Sequence, residues 1–74
     1  MKTLYSMKPG ETGMISKMDG GMEFNRKLRN IGIREGKQVR VVARQYLGGP
    51  LVIEIGGRQI TIGRGMAGRI FVDA

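Results

Sequence analysis

The segment from Arg26 to Gly36 constrains the fold most, because it has the pattern of a helix end followed by a turn into β structure. Phe24, Leu28 and Ile31 recur at helical spacing, which places their side chains on one face of a helix. Gly32 favours the left-handed conformation that ends many helices, and the isoleucine after it is then placed to pack back on Leu28 in a Schellman motif. The segment therefore predicts one short helix that stops at Gly32.

The remainder of the chain alternates apolar and polar residues in short runs, which is typical of strands with one buried face. In the run 38–44, the alternation predicts that Val39, Val41 and Ala43 share the buried face. Strands are also predicted near 12–18, 51–55 and 60–62 and in a last run through 70 and 72. The turns between them are marked by glycine, with Pro9-Gly10 before the first strand and Gly56-Gly57 in a tight hairpin.

Length restricts how these elements can pack, because 74 residues form a single domain with one small core. About five short strands bury all their inward faces most economically in a partly open barrel. We therefore predict a mainly β fold, a small SH3-like partly open barrel of about five strands with one short helix inserted after the first strand, over residues 1–74. An OB-like barrel is the alternative.

The residue types argue against catalysis and against a specific metal site. The chain has no histidine and no cysteine, and its six carboxylates are scattered without the spacing that brings oxygens to one ion. Residues 63–68 match G-x-G-x-x-G, but the chain ends at Ala74, before a dinucleotide unit could be completed. A turn is the simpler interpretation there, and we expect a non-enzyme without metal or cofactor.

Net charge is +7 and the isoelectric point is near 10.6, which leaves three interpretations of the surface. The cations from Arg26 to Arg44 could be a solvated face, a docking surface for an acidic protein, or a nucleic-acid surface. The aromatic residues are two tyrosines and two phenylalanines, and they do not alternate as a stacking platform for bases would. A basic barrel that binds nucleic acid therefore stays as the alternative function.

Taken together, these motifs resemble the FeoA family, the small cytoplasmic component of bacterial ferrous iron uptake. The family pattern R-x-L-x-x-[LI]-G-[LI]-x-x-G is spelled here from Arg26 to Gly36, and a V-x-V strand follows at Val39. A G-G-P turn comes at 48–50, and a final I-x-I segment at 60–62 leads towards the C-terminus. One departure is Gly63, where family members often carry arginine, which here follows at Arg64. The SH3-like module of iron-dependent repressors is similar, but no DNA-reading helix-turn-helix is found in this chain.

The resemblance implies a non-catalytic adaptor that binds the cytoplasmic GTP-binding region of FeoB, the membrane ferrous iron transporter. It implies a cytoplasmic location, with recruitment to the inner face of the membrane by that partner, and it leaves the oligomeric state open. A cluster of charge beside an apolar hairpin tip suggests the contact surface. The residues predicted to meet the partner are Met22, Arg26, Arg29, Asn30, Arg34, Tyr46 and Leu47.

Overall fold

The computed structural model describes residues 1–45 and 47–73. The strands are β1 (Lys2–Thr3), β2 (Thr12–Met18), β3 (Gln38–Arg44), β4 (Leu51–Ile55), β5 (Arg58–Ile62) and β6 (Ile70–Asp73). The helices are α1 (Met22–Asn30) and α2 (Arg64–Ala67), and a 3-10 turn spans Leu4–Ser6.

The strands form one antiparallel sheet in the order β1-β6-β2-β3-β4-β5, and this sheet does not close on itself. The predicted, partly open β architecture is confirmed. Two elements go beyond the prediction. Strand β1 is only two residues long, too short to show an alternating pattern, and it pairs Lys2 with Val72 of β6. Helix α1 therefore follows the second strand of the chain and not the first.

The segment 63–68, which we predicted to be a turn, forms the single-turn helix α2. Its backbone bond joins the N–H of Ala67 to the carbonyl oxygen of Gly63 at 3.0 Å. Ala67 is completely buried, so this turn packs against the core. A helix of this length is stabilised mainly by its packing and very little by its own hydrogen bonds.

A bulge in β3 breaks the alternation predicted for that strand. Val41 lies opposite Ile53, but Ala43 lies opposite Val52, so Val42 is one extra residue on β3. Because side chains alternate with a period of two, one extra residue moves all later side chains to the other face. The prediction that Ala43 faces inwards is therefore wrong, since the residue is exposed.

The buried apolar residues form one core between the curled sheet and α1. Leu28 and Ile33 have no exposed surface, and no charged residue of the described chain is buried with them. The core residues are Leu4, Met7, Ile15, Met18, Leu28, Ile33, Val39, Val41, Leu51, Ile53, Ile55, Ile62, Ala67, Ile70 and Val72.

Helix α1 ends as the sequence predicts. Gly32 has a φ of +94°, the left-handed conformation that glycine adopts without a steric penalty. The N–H of Ile33 donates to the carbonyl of Leu28 at 2.9 Å, and the N–H of Gly32 donates to the carbonyl of Arg29 at 3.1 Å. These two bonds are those of a Schellman motif. They fix the direction in which the chain leaves the helix towards β3.

Candidate partner-binding surface

Helix α1 presents two opposite faces, one to the core and one to solvent. Leu28 is buried, and Phe24 and Ile31 on the same face are half-buried against the core. On the other face, Met22 is 88% exposed, and Arg26 and Arg29 follow it at intervals of four and three residues. Residues at these intervals are neighbours on a helix surface.

We define the α1 surface as the five predicted residues on or directly after this helix. All five are exposed in the structure. They are Met22, Arg26, Arg29, Asn30 and Arg34. The structure thus places four of the predicted contact residues on α1 and Arg34 in the connection that follows it.

The C-terminal end of α1 is held in place by a residue that the sequence analysis did not select. Arg58, the first residue of β5, donates from Nη2 to the carbonyl oxygen of Ile31 at 2.7 Å. A Cβ atom on Gly32 would lie 2.5 Å from the same Arg58 nitrogen, so the guanidinium packs directly on the helix end. A charged donor at the C-terminal end of a helix satisfies a free carbonyl and interacts favourably with the helix dipole. The only sequence signal for this contact is the position of Arg58 immediately after the Gly56-Gly57 turn.

Two arginines of the α1 surface have carboxylate partners. Arg26 Nη2 lies 2.8 Å from Glu23 Oε2, and Arg29 Nη2 lies 3.7 Å from Glu35 Oε1. Exposed pairs of this kind contribute roughly 0 to 1 kcal/mol, so either arginine can exchange its partner at little cost. Arg34 takes part in no ion pair among the described residues.

A shallow depression of about 500 Å³ runs beside the exposed face of α1. It is lined by Glu23, Phe24, Arg26, Lys27 and Asn30. The lining offers the half-buried ring of one phenylalanine surrounded by charged and amide side chains. Such a site suits a protruding side chain of another protein better than a buried small molecule, which needs an enclosed and mainly apolar cavity.

Leu47, the other described apolar residue of the prediction, lies in the loop between β3 and β4. Its side chain is fully exposed and its φ is +63°, an unusual conformation for a residue other than glycine. It lines a groove with Tyr5, Pro9 and Arg44, beyond the opposite end of β3 from Arg34. Leu47 therefore lies apart from the α1 surface. Tyr46, which we predicted to act with it, lies outside the described residues.

The bulge in β3 turns Arg44 from a solvated residue into a structural one. Its guanidinium lies 4.8 Å from the centre of the Tyr5 ring, and Nη1 donates to the carbonyl oxygen of Met7 at 3.1 Å. A cation over an aromatic ring is stabilised by about 0.5–2 kcal/mol, depending on how far it is desolvated. Arg44 thus attaches the N-terminal segment to the end of β3.

A second polar contact holds the same N-terminal segment. The Glu11 carboxylate accepts a hydrogen bond from Lys2 Nζ at 2.8 Å and another from the backbone N–H of Lys8 at 2.6 Å. The bond from Lys2, followed by the bond from Lys8, lowers the pKa of the Glu11 carboxyl below its ordinary value of 4.5. The stability of this end of the molecule therefore depends on the charge of the Glu11 carboxylate.

The predicted basic run is less uniform than its sequence indicates. Arg40 pairs with Glu54 at 3.0 Å, so glutamates from three different parts of the chain neutralise Arg26, Arg29 and Arg40. The guanidinium of Arg44 lies over the Tyr5 ring. Glu54 was not predicted as a partner because only folding brings it beside β3. Glu23 was also missed, although it lies three residues before Arg26 on the same helix.

Three further observations limit the chemistry of the described residues. No three histidine, cysteine or acidic side chains among them are grouped as metal ligands. The rings of Phe24 and Phe71 are half-buried, beneath Arg69 and Lys17 respectively, and form no common stacking surface. Within residues 1–45 and 47–73, no helix has the length and apolar character needed to cross a membrane.

Comparisons with known proteins agree with this architecture over nearly the whole chain. The family model for the FeoA domain matches residues 2–74. A protein of Methanocaldococcus jannaschii named "Putative Fe(2+) transport protein A" is 36% identical over 73 residues, which cover 99% of this chain and 87% of that protein.

Two solved structures show the same fold. A crystal structure of an iron uptake regulatory protein (FeoA) is 33% identical, with a TM-score of 0.86 over 97% of this chain and 93% of that one. The zinc complex of Stenotrophomonas maltophilia FeoA, described as an SH3 domain protein, is 27% identical, with a TM-score of 0.81 over 99% and 91% of the two chains. The SH3-like fold is therefore confirmed, and the OB-like alternative is wrong.

Proposed function

Because this chain belongs to the FeoA family of ferrous iron transport proteins, we propose that it is a non-catalytic adaptor that binds the cytoplasmic GTP-binding region of the FeoB transporter. Through this contact it regulates ferrous iron uptake. Its location is cytoplasmic, and the partner recruits it to the inner face of the membrane. The α1 surface is the contact surface.

The single observation that carries this proposal is the exposed face of α1. Met22 supplies an apolar side chain that is 88% exposed, and Arg26 and Arg29 follow it on the same helix face. Interfaces are enriched in methionine and arginine relative to the rest of a protein surface. The Schellman bonds and Arg58 fix the backbone at the end of this helix, so binding costs little backbone conformational entropy there.

The non-catalytic part of the proposal is supported by the residue types. The chain has neither histidine nor cysteine, the usual general base and the most reactive nucleophile. The lowered pKa of the Glu11 carboxyl is explained by its bonds to Lys2 and Lys8. Adaptor proteins need a rigid surface and not a reactive group.

The experiment is a calorimetric titration of this protein into the purified cytoplasmic region of the FeoB transporter from the same cell. It is carried out with and without guanine nucleotide, at two salt concentrations. We expect saturable binding at both salt concentrations. Dependence on the nucleotide would show that the adaptor distinguishes states of the GTPase cycle.

The double variant Arg29→Glu with Arg34→Glu tests the surface. The matched control is Lys8→Glu with Lys17→Glu, two exposed lysines that lie beside Tyr5 and over the Phe71 ring. Each reversal lowers the net charge by two, so both variants go from +7 to +3. We expect the first to weaken binding at least tenfold and the control to stay within about twofold, since charge in the contact matters more than net charge.

Equal affinity of the two variants would refute the α1 surface. Leu47→Ser is tested separately, and an unchanged affinity would remove Leu47 from the predicted contact. Absence of binding to the transporter, together with retention on nucleic acid that falls steeply with salt, would instead support the nucleic-acid alternative.

A further inference from the structure

Strand β5 has an open side. It pairs with β4 from Arg58 to Ile62, and no strand lies on its other side in the sheet order. Among the described residues, no backbone group of β5 makes a hydrogen bond outside the sheet ladder. The other edge strand, β1, is only two residues long. The long open edge of this barrel is therefore β5.

The hairpin geometry determines which backbone groups point away from β4. Gly56 and Gly57 both have positive φ, +59° and +78°, as in a type I′ turn of two residues. In such a hairpin the flanking pair, Ile55 and Arg58, exchanges hydrogen bonds, and alternate residues beyond it do the same. The N–H and C=O groups of Gln59 and Thr61 therefore point outwards. Both residues are exposed.

The charges beside this edge favour an acidic occupant. From Ile55 to Val72 the chain carries three arginines and no carboxylate. Arg58 stands at one end of β5, and Arg64 follows its other end by two residues. Neither takes part in an ion pair among the described residues. Arg58 donates from Nη2 to the carbonyl oxygen of Ile31, and its guanidinium has further N–H groups that can reach a carboxylate. An extended segment with acidic side chains would thus find a cation near each end of the edge.

A second copy of this chain fits less well. Two copies would each bring a net charge of +7 to the same contact. An acidic peptide segment avoids this repulsion, because it is attracted by the charge.

We propose that β5 binds an extended acidic peptide segment of another protein as an additional antiparallel strand. The backbone groups of Gln59 and Thr61 make the main-chain hydrogen bonds, and Arg58 and Arg64 select for carboxylates. This mode of recognition takes its affinity from backbone bonds and its specificity from the flanking side chains. The proposal does not depend on the α1 surface or on the identity of its partner.

The test uses a synthetic peptide of alternating glutamate and valine, seven residues long, with blocked ends. It is titrated into the full chain while amide hydrogen exchange is followed residue by residue by NMR. We expect exchange at Gln59 and Thr61 to slow at least tenfold, while exchange at Ile60 changes little, since its N–H is already bonded to β4. A peptide with lysine in place of glutamate should bind at least tenfold more weakly.

Thr61→Pro removes one outward N–H without removing a bond to β4, because proline is tolerated on the open side of an edge strand. The matched control, Thr61→Val, keeps this N–H and the β-branched shape. We expect the proline variant to bind the acidic peptide at least tenfold more weakly and the valine variant to bind within about twofold of the original chain. A thermal melt of both variants establishes that they are folded.

Three results would overturn the proposal. The first is absence of binding at millimolar peptide. The second is binding without slower exchange at Gln59 and Thr61, which would place the peptide elsewhere. The third is a dimer by sedimentation, with both amides already protected in the absence of peptide, because a second copy would then occupy the edge. None of these three results would contradict binding to the FeoB region through α1, because that binding is tested with different variants.

Discussion

Leu28 and Leu47 are the same residue type on either side of β3, and their surroundings are opposite. Leu28 has no exposed surface, whereas Leu47 is fully exposed. The difference follows from local pattern: Leu28 belongs to a helical repeat with Phe24 and Ile31, while Leu47 precedes two glycines in a hairpin loop. Hydrophobicity alone does not place a residue in the core. Its periodicity within an element does.

The two ends of the molecule are also held by different forces. The end with α1 is held by apolar packing and by the backbone bonds of Gly32 and Ile33. The end with Leu47 is held by partly buried polar contacts, those of Arg44 with Tyr5 and of Glu11 with Lys2. Apolar packing is insensitive to pH, whereas contacts between charged groups are not. The two ends should therefore respond differently to mutation and to acid.

The largest expected effect is a difference in the free energy of unfolding between alanine variants of the two leucines. Leu28→Ala should lower the free energy of unfolding by about 2–5 kcal/mol, because it removes buried methyl groups and leaves a cavity. Leu47→Ala should change it by no more than about 0.5 kcal/mol, since its side chain contacts solvent. Urea denaturation followed by circular dichroism measures both.

A domain of this size typically has only about 3–5 kcal/mol of stability, so Leu28→Ala could be largely unfolded. Leu28→Met, which nearly conserves the volume, should then cost less than about 1.5 kcal/mol and remain measurable. Equal destabilisation by the two alanine variants would contradict the assignment of Leu28 to the core and of Leu47 to the surface.

A smaller effect tests the backbone that ends α1. Gly32→Ala should cost about 1–2 kcal/mol, because alanine is strained in the left-handed conformation. The new Cβ would also force Arg58 away from the helix end. Gly65→Ala is the control, since no neighbouring atom lies near a Cβ at that position in α2.

Alanine is the better helix former, so the control should be neutral or stabilising by up to about 1 kcal/mol. Thermal unfolding of the two variants under identical conditions gives the comparison. A Gly32→Ala variant as stable as the original chain would show that the Schellman ending does not fix the helix.

The smallest effect concerns the end held by charge. The pKa of Glu11 is lowered in the folded state. Its carboxylate therefore stabilises the fold at pH values above 4.5, the ordinary pKa of this group. That contribution is lost as the pH falls through the lower folded-state pKa. Glu11→Gln should therefore melt slightly below the original chain at pH 7, and the two melting temperatures should converge in acid.

Scanning calorimetry at several pH values from neutral to acidic measures this difference. The comparison is with Glu23→Gln, because the Glu23 carboxylate accepts a hydrogen bond from Arg26 on the exposed helix face. A gap between Glu11→Gln and the original chain that persists unchanged in strong acid would mean that Glu11 acts through packing and not through its charge.

Much of this fold was predictable because its local signals agree with one another. The helix ending at Gly32, the strand Thr12–Met18 and the hairpin at Gly56-Gly57 all coincide with sequence patterns. The burial of Ala43 was mispredicted because a bulge leaves no mark in an alternating run of small and β-branched residues. Strand β1 was missed because a strand of two residues has no period to detect.

The exposed arginines of the α1 surface were predictable, because charged residues at helical spacing face away from the core. The bond from Arg58 to the carbonyl oxygen of Ile31 was not predictable, since the two residues are 27 apart in the chain. Leu47 was predicted to act with the α1 surface, although the two lie beyond opposite ends of β3. Distances across the sheet depend on strand pairing, which local patterns do not specify.

By itself the sequence determined the fold class, the end of α1, the absence of histidine and cysteine, and the basic character of the chain. Each of these depends on residue type or on short-range periodicity. Only the tertiary structure decided the bulge that carries Arg44 to Tyr5, the pairing of Arg40 with Glu54 and the open edge of β5. These depend on which strands become neighbours, and that choice is made by burying the whole core at once.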